Sequence, residues 1–312
     1  ILFERRIKRG ALEFVTEECK IYLDENGKAC EIKKYDRNTA TQVIEEFMLV
    51  CNETIAEEYA YNELPFVFRS HEEPDPEKLE YVASLVHNMG IPFRVDEEKI
   101  YPKELQKVLD EIAGRKEENM LSKLMLRSMK QAKYTATNDG HFGLAAKYYC
   151  HFTSPIRRYA DLTIHRIIKE NIDSGIIDER LTHYKHRSFE VATRTSKCER
   201  VADEIEREVE EYKKCEYMDK FVEEEFDGNI SGVTSFGIFV ELDNTVEGLV
   251  RLATLEDNYE YDEKRYCLIG QRSGKILTLG DKVRIKVAKV NIELREIDFE
   301  LVKTYGDESG ME

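Results

Sequence analysis

The residue pattern with the clearest chemical potential is Ser154-Pro155-Ile156-Arg157. Serine favours the N-cap of a helix and proline favours its first turn, so the pattern predicts a helix from Ser154 to about Asp173. A helix N-terminus offers free backbone N–H groups and a partial positive charge, which together attract a phosphate. Arg157 would add a planar guanidinium that can hold a phosphate through two hydrogen bonds. The alternative is a capped helix whose arginines pair with neighbouring carboxylates, and the pattern leaves both interpretations open.

The predicted helix has one polar face and one apolar face. Arg157, Asp161 and His165 are spaced four residues apart and therefore share a face. The apolar side chains expected to face the core are Ile156, Ala160, Ile164 and Ile168.

Further elements must position this segment, and most of them are predicted to be helices. A hairpin is predicted within residues 10–35, because Asn26-Gly27 lies between two apolar runs. Asp75-Pro76 is a typical N-cap and first-turn pair, and Gly90 is a typical helix end. Helices are predicted over residues 38–59, 75–90, 102–113, 117–132 and 188–220, with a glycine-punctuated strand or loop segment over 140–153.

The composition changes near Phe221, where the chain becomes rich in short apolar runs separated by glycine. About five short strands in roughly 80 residues are typical of a small barrel. The boundary is acidic, since residues 199–225 hold 12 acidic and 5 basic side chains. We therefore expect a helical part over residues 1–220, a barrel over 221–303 and a polar tail over 304–312.

Composition and charge exclude several classes of protein. With 41 % hydrophobic and 10 % aromatic residues, the chain is not globally disordered. It has no run of about 18 apolar residues, so no membrane span is expected. Seven cysteines without a Cys-x-x-Cys pair favour a reducing, cytoplasmic location over a disulfide framework or zinc ribbon. A net charge of −16 argues against indiscriminate coating of nucleic acid.

The stretch His151-Phe-Thr-Ser-Pro-Ile-Arg-Arg-Tyr159-Ala-Asp-Leu-Thr-Ile-His-Arg166 resembles the signature of the RNase II / RNase R family of 3′→5′ exoribonucleases, the RNB domain. Further stretches resemble the same family in the same order and cover nearly the whole chain: Arg9-Gly-Ala-Leu-Glu-Phe14, Ile44-Glu-Glu-Phe-Met-Leu49 with Asn52, Arg69 and His71 before Pro74, Leu126 to Ala132, Gly140-His-Phe-Gly-Leu144, and Lys214-Cys-Glu-Tyr-Met218. The resemblance implies an α+β fold, in which a mostly helical, N-terminally truncated RNB catalytic domain precedes a five-stranded OB-fold β-barrel of the S-one type.

The resemblance also implies roles for individual residues. Arg157 matches the family's catalytic arginine near the scissile phosphate, where it would stabilise charge on the phosphoryl oxygens. Phe14 matches an aromatic residue that stacks on a base near the 3′ end. Glu45 and Glu206 match glutamates near the terminal nucleotide, where a carboxylate can accept from ribose hydroxyls. The remaining RNA-binding candidates of the catalytic domain belong to matching motifs: His71, His141, Ser154 and Arg158.

In the barrel, the resemblance places Phe236 and Phe239 on strands that face RNA and Arg295 in the last hairpin. Arg251 occupies a position that is often histidine in this domain, and Asn291 stands where an acid is common; both differences make the site less negative. Judged by residue type alone, Phe14, Phe236 and Phe239 could simply be core. Glu45 and Glu206 could be surface groups, and the histidines could be structural.

The sequence departs from the family at the metal site. The family holds magnesium with aspartates in an Asp-x-x-x-x-x-Asp-x-Asp-Asp pattern, and metal-assisted hydrolysis needs such ligands. The 312 residues contain no such pattern. The cluster would precede Ile1, so we expect a fragment that holds no metal and is inactive or nearly so by itself, with Mg as the cofactor of the full-length enzyme.

The resulting hypothesis is an exoribonuclease of the RNase R type that degrades single-stranded RNA processively to nucleoside monophosphates. Its acidic exterior would face solvent, while four cations would line an RNA channel: Arg127, Lys130, Arg157 and Arg158. One alternative is a non-catalytic RNA-binding or regulatory protein, and a weaker one is a structural role on ribosomes through the barrel. We expect a monomer whose partner is single-stranded RNA.

Overall fold

Helices dominate the first two-thirds of the chain. The structure is a computed structural model that describes residues 1–14, 19–35, 38–95, 99–115, 118–262, 265 and 267–305. Its helices are α1 (Leu2–Arg9), α2 (Thr39–Tyr61), α3 (Pro76–Asn88), α4 (Pro102–Ile112), α5 (Glu118–Ser128), α6 (Tyr159–Ser174) and α7 (Asp178–Met218).

The strands of the described residues form four separate sheets. The predicted hairpin is present as antiparallel β1 and β2, and β3 pairs with β4. The other strands form a closed barrel in the order β11-β12-β7-β6-β5 and a three-stranded sheet in the order β10-β9-β8. The strands are β1 (Cys19–Leu23), β2 (Ala29–Lys34), β3 (Phe68–Ser70), β4 (Lys133–Thr135), β5 (Glu225–Thr234), β6 (Gly237–Leu242), β7 (Glu247–Arg251), β8 (Tyr259–Asp262), β9 (Cys267–Gly270), β10 (Ile276–Thr278), β11 (Lys282–Asn291) and β12 (Glu296–Thr304).

The predicted α+β fold with a five-stranded barrel is confirmed. Two glycines allow the barrel to close. A Cβ on Gly237 would collide with the carbonyl oxygen of Val250, and a Cβ on Gly248 would lie 2.5 Å from the Phe299 ring. The barrel interior is filled by buried aliphatic side chains together with Phe299.

Helix starts follow their capping residues in two clear cases. Asn38 caps α2 by accepting from the backbone N–H groups of Ala40 and Thr41. Asp75 caps α3 by accepting from Glu77, and Pro76 occupies the first turn as predicted. Helices therefore begin where a polar side chain meets the free N–H groups.

The described residues group into two compact units. The first contains Ile1–Phe14, Arg37–Ala113 and Ser122–Asp203, and the second contains Val15–Asp36, Gly114–Leu121 and Glu204–Glu312. The division of the chain at residue 220 into two domains and a tail stays a prediction. The tail from residue 306 lies outside the described residues.

Two general properties concern the described residues. None of their helices is long and apolar enough to pass through a bilayer. All seven cysteines are free thiols, and Cys150, Cys215 and Cys267 are buried.

Candidate nucleic-acid interface

The Ser154–Arg158 segment forms a turn and not the start of a helix. The carbonyl of Ser154 accepts from the backbone N–H groups of Arg157 (3.3 Å) and Arg158 (3.0 Å). Helix α6 begins five residues later than predicted, at Tyr159, with Arg158 as its N-cap. The physical reason is Asp161, whose Oδ2 accepts from the Ser154 N–H at 2.8 Å. The expectation of a helix N-terminus at Ser154 with free N–H groups is therefore wrong.

The two arginines of this turn have different environments. Arg158 donates from Nε (3.1 Å) and Nη2 (2.8 Å) to Oδ2 of Asp161, which is fully buried. Arg157 is exposed, and none of the described hydrogen bonds or ion pairs involves its guanidinium. Ile156 is 99 % exposed, so the expectation that it faces the core is wrong. Arg158 thus behaves as a paired structural cation, whereas Arg157 is available to an external anion.

A glycine-rich loop over residues 140–146 joins three of the matched motifs. His141 and Ala146 exchange backbone hydrogen bonds, and Phe142 N–H donates to the carbonyl of His71 at 2.8 Å. Leu12 N–H donates to the carbonyl of Gly143, also at 2.8 Å. Motifs far apart in sequence therefore meet in the first unit.

Aromatic rings extend from this loop toward the turn. Ring centroids lie 4.9 Å apart for His71 and His141, 5.1 Å for His141 and Tyr149, and 5.7 Å for Tyr149 and His151. Tyr134 continues the series through a 3.0 Å hydrogen bond between its hydroxyl and Nδ1 of His151. We call these five residues the ring row.

The histidines of the ring row are neutral at physiological pH. Burial lowers the pKa of His141 to about 3 and, with the nearby Arg158 charge adding to it, the pKa of His151 to about 2. Burial also lowers the pKa of His71, whose Nδ1 accepts from Gly143 N–H at 3.1 Å. Nδ1 of His141 likewise accepts from Leu144 N–H at 3.3 Å, and the assignment of both histidines to RNA binding stays a prediction.

Two residues of the matched stretches, Glu46 and Asn52, have supporting roles that were not predicted from the sequence. Glu46 is buried and accepts from Arg6 at 2.9 Å, whereas its predicted neighbour Glu45 is half-buried. Asn52 donates to the Tyr149 hydroxyl at 3.2 Å and accepts from Phe152 N–H at 3.0 Å. A polar residue in the middle of an otherwise apolar helix face is the signal that could have identified them.

Other candidates have fewer described contacts. Phe14 is half-buried at the end of the first described segment. Glu206 is exposed on α7, in the second unit, whereas Glu45 and Arg157 belong to the first. Of the four cations assigned to a channel, Arg158 pairs with Asp161 and Lys130 pairs with Glu72 at 3.2 Å. Arg127 and Arg157 are exposed.

The barrel candidates lie around a groove of about 640 Å³, which we call the barrel groove. Phe236 and Phe239 line it with ring centroids 6.1 Å apart and perpendicular planes. Arg251 donates to Oδ1 of Asp298 at 2.9 Å. Arg295 lies 3.4 Å from Glu208 and 3.7 Å from Glu211 on α7. Both arginines therefore already have carboxylate partners.

The described residues do not fit a resident magnesium site. In the part of the chain that the structure covers, no group of three or more histidine, cysteine, aspartate or glutamate side chains could hold a metal ion. What this site can do chemically is bind and orient a phosphate chain.

Comparison with known proteins matches both parts of the chain to domain families. Residues 1–174 match the RNB domain, and residues 219–301 match the S1 RNA binding domain. Ribonuclease R 1 of Lactococcus lactis is 44 % identical over 96 % of this chain and 37 % of its own length. Ribonuclease R of Thermotoga maritima is 42 % identical over 97 % of this chain and 43 % of its own. The chain thus spans about two-fifths of the length of these relatives.

Solved structures give a similar result. The apo form of Mycoplasma genitalium RNase R superposes with a TM-score of 0.89 and 27 % identity, over 96 % of this chain and 48 % of that one. The same protein in complex with ribose methylated single-stranded RNA gives a TM-score of 0.88 over the same shares of both chains.

Proposed function

Because this chain belongs to the RNB family, in the ribonuclease R group, we propose that it supplies the RNA-binding groups of a processive 3′→5′ exoribonuclease. The substrate would be single-stranded RNA and the products nucleoside monophosphates. The 312 residues by themselves would bind RNA and hydrolyse it little or not at all, since the described residues include no set of metal ligands.

The observation that supports this proposal most directly is the free guanidinium of Arg157. Asp161 holds the turn on both sides of it, through Ser154 N–H and through Arg158. Arg157 therefore projects from a fixed backbone without an internal carboxylate partner among the described contacts. A cation that is presented beside a phosphate from a fixed backbone can stabilise the negative charge that develops on the phosphate oxygens.

The second support is a distribution of groups suited to RNA of any sequence. Aromatic rings such as Phe236 offer stacking surfaces that accept every base. Carboxylates such as Glu45 can accept from ribose hydroxyls, which DNA lacks. Both features agree with a nuclease that distinguishes RNA from DNA without reading sequence.

The test is binding and hydrolysis by the purified 312-residue protein. We expect fluorescence anisotropy to show binding of a labelled single-stranded RNA with a dissociation constant of roughly 1–100 µM, and weaker binding of the same sequence as DNA. We expect no nucleotide release from that RNA in the presence of magnesium. Absence of RNA binding would refute the proposal. Robust processive release of nucleotides would refute the part of it that states that the 312 residues alone hydrolyse little or no RNA.

A substitution of Arg157 distinguishes a role in catalysis from a role in RNA affinity. In a longer form of the protein that carries the aspartate cluster, Arg157→Ala should reduce turnover by about 10²–10³-fold and weaken RNA binding much less. Arg94→Ala, at another exposed arginine of the first unit, is the matched control and should change neither. Uniformly weaker binding with normal turnover would show that Arg157 is only a docking residue.

The alternative is an RNA-binding protein without hydrolytic function in any form. It predicts the same binding by the 312 residues but no turnover by the longer form.

A further inference from the structure

The barrel groove has two walls, and one of them is helix α7. Barrel residues Phe236, Phe239, Arg251 and Arg295 line one side, and α7 contributes Glu210 and Lys214 to the other. All of these residues belong to the second unit. The volume of about 640 Å³ is within the range of natural small-ligand sites, roughly 300–1,000 Å³.

The aromatic side of the groove has a free ring. Phe236 is 57 % exposed, although a phenyl ring gains free energy by burial. Phe239 is half-buried, and its ring packs over Gly232, where an added Cβ would lie 3.2 Å from it. The two ring planes are perpendicular, so Phe239 does not stack face to face on Phe236. The exposed part of the Phe236 ring can accept a base.

The charged side chains of the groove are mostly paired. Asp298 holds Arg251, and Glu208 with Glu211 holds Arg295. Lys214 is different: it is half-buried, and none of the described hydrogen bonds, ion pairs or ring contacts involves its ammonium group. Among the described lysines and arginines that line the groove, Arg207 lies 3.8 Å from Glu211, which leaves Lys214 as the cation without a partner.

The backbone around Lys214 is firmly anchored. Its neighbour Cys215 is buried in the barrel core together with Met218. On the other side, Lys213 donates to Glu216 at 2.8 Å and to the carbonyl of Gly27 at 2.7 Å. Two consecutive lysines therefore have different roles, one tying α7 to the β1–β2 turn and one projecting into the groove. An unpaired, half-buried ammonium costs desolvation energy that an arriving anion would repay.

We propose that α7 completes the RNA site of the barrel, with Lys214 binding a backbone phosphate while a base stacks on Phe236. Arg251 and Arg295, the cations that the sequence suggested, then stabilise the groove through their ion pairs with Asp298 and with Glu208 and Glu211. This inference rests on the proposed function, because it takes single-stranded RNA as the ligand.

The protein contains no tryptophan, which gives the test a specific reporter. Phe236→Trp introduces one indole at an exposed ring position of the groove, and base stacking quenches indole fluorescence. We expect quenching on titration with an oligouridylate of about ten nucleotides. In this background Lys214→Gln should raise the dissociation constant measured by quenching about fivefold. It should also make the slope of log affinity against log salt concentration shallower by about 0.7. Lys214→Arg should restore most of both.

The matched control is Lys289→Gln, which removes the same charge from an exposed position of β11 outside the groove. It should leave the titration unchanged. Equal dissociation constants for Lys214→Gln and Lys289→Gln would overturn the inference. If anisotropy shows RNA binding but the indole is not quenched, the groove is not the site and the proposed function stands. If anisotropy shows no binding either, the proposed function itself fails.

Discussion

Asp161 stabilises the Ser154–Arg158 turn through a single oxygen atom. Its Oδ2 accepts three hydrogen bonds, whereas the buried Oδ1 has no described partner. Asp161→Asn removes the charge that compensates Arg158, and breaking a buried pair in this way is costly. We expect the free energy of unfolding to fall by about 2–4 kcal/mol, measured by urea titration.

The control for this substitution is an exposed pair of the same type. Arg187 and Glu190 lie 3.2 Å apart on α7, and both are well exposed. Glu190→Gln should cost less than about 1 kcal/mol, because solvent screens surface ion pairs. Equal losses for the two variants would mean that Asp161 does not hold the turn.

The half-buried histidines of the ring row make stability depend on pH. In the folded chain the pKa of His141 is about 3 and that of His151 about 2, below the 6.5 of an unperturbed histidine. Between these values the unfolded chain binds more protons than the folded one, so acidification favours unfolding. From pH 7 to 5.5, we expect the free energy of unfolding to fall by about 1 kcal/mol for each of these two histidines.

Two variants separate this effect from general acid sensitivity. His151→Gln keeps an acceptor for the Tyr134 hydroxyl but cannot be protonated, so its unfolding free energy should decline less between pH 7 and 5.5. His186 is 77 % exposed, and His186→Gln should leave the decline unchanged. Parallel declines in all three proteins would contradict neutral histidines in the ring row.

Among the elements, the parallel pairing of β7 with β12 requires a residue without a Cβ at position 248. Gly248 lies under Phe299, and a Cβ there would come 2.5 Å from the ring. Gly248→Ala should lower the free energy of unfolding by about 1–3 kcal/mol, as expected of an overpacked core. At Gly232 the corresponding distance is 3.2 Å to a half-buried ring that can shift, so Gly232→Ala should cost less. A larger loss for Gly232→Ala than for Gly248→Ala would show that the barrel tolerates a larger residue at position 248.

The elements that could be predicted from the sequence are those with strong local signals. The Asn26-Gly27 hairpin, the capped starts of α2 and α3 and the five barrel strands all have turn or cap residues at their ends. The short helix α1 and the three-residue strands β3 and β4 were missed, because stretches so short carry too little periodicity.

The errors at longer elements have a common cause, which is tertiary contact. Ser154-Pro155 has the local form of a helix start, but Asp161 takes the Ser154 N–H and moves the start of α6 to Tyr159. On α2, Val43 and Phe47 recur at helical spacing but are 48 % and 58 % exposed. Periodicity identifies a helix, but it does not reveal which face is covered.

For the whole molecule, the central question is how a chain of net charge −16 could bind RNA. Binding depends on cations that lack internal partners, and several of the expected ones are paired. If Arg127, Arg157 and Lys214 contact phosphates, log affinity should fall with log salt with a slope of about −2 for single strands. Anisotropy titrations between 50 and 300 mM KCl, roughly the range over which such slopes are measured, test this. A flat response would exclude these phosphate contacts.

The candidate site could be predicted only where its residues lie within sequence motifs that resemble the family. The resemblance singled out Arg157, His71 and His141, and the structure places their motifs in one unit. It did not show that Arg158 and Arg295 have carboxylate partners whereas Arg157 and Lys214 have none among the described contacts. Which cation is free depends on carboxylates distant in sequence, such as Glu208 for Arg295, and a single sequence does not encode those pairings visibly.

The turn at residues 154–158 has a practical consequence. Ile156 and Arg157 project into solvent, but Asp161 holds the backbone of the turn, so a protease must open the turn before it can cut there. Limited trypsin digestion should therefore cleave after Arg157 earlier in Asp161→Asn than in the unsubstituted protein, giving fragments that mass spectrometry can identify. Protection of that one peptide bond by RNA, with cleavage elsewhere unaffected, would map the bound strand without any label.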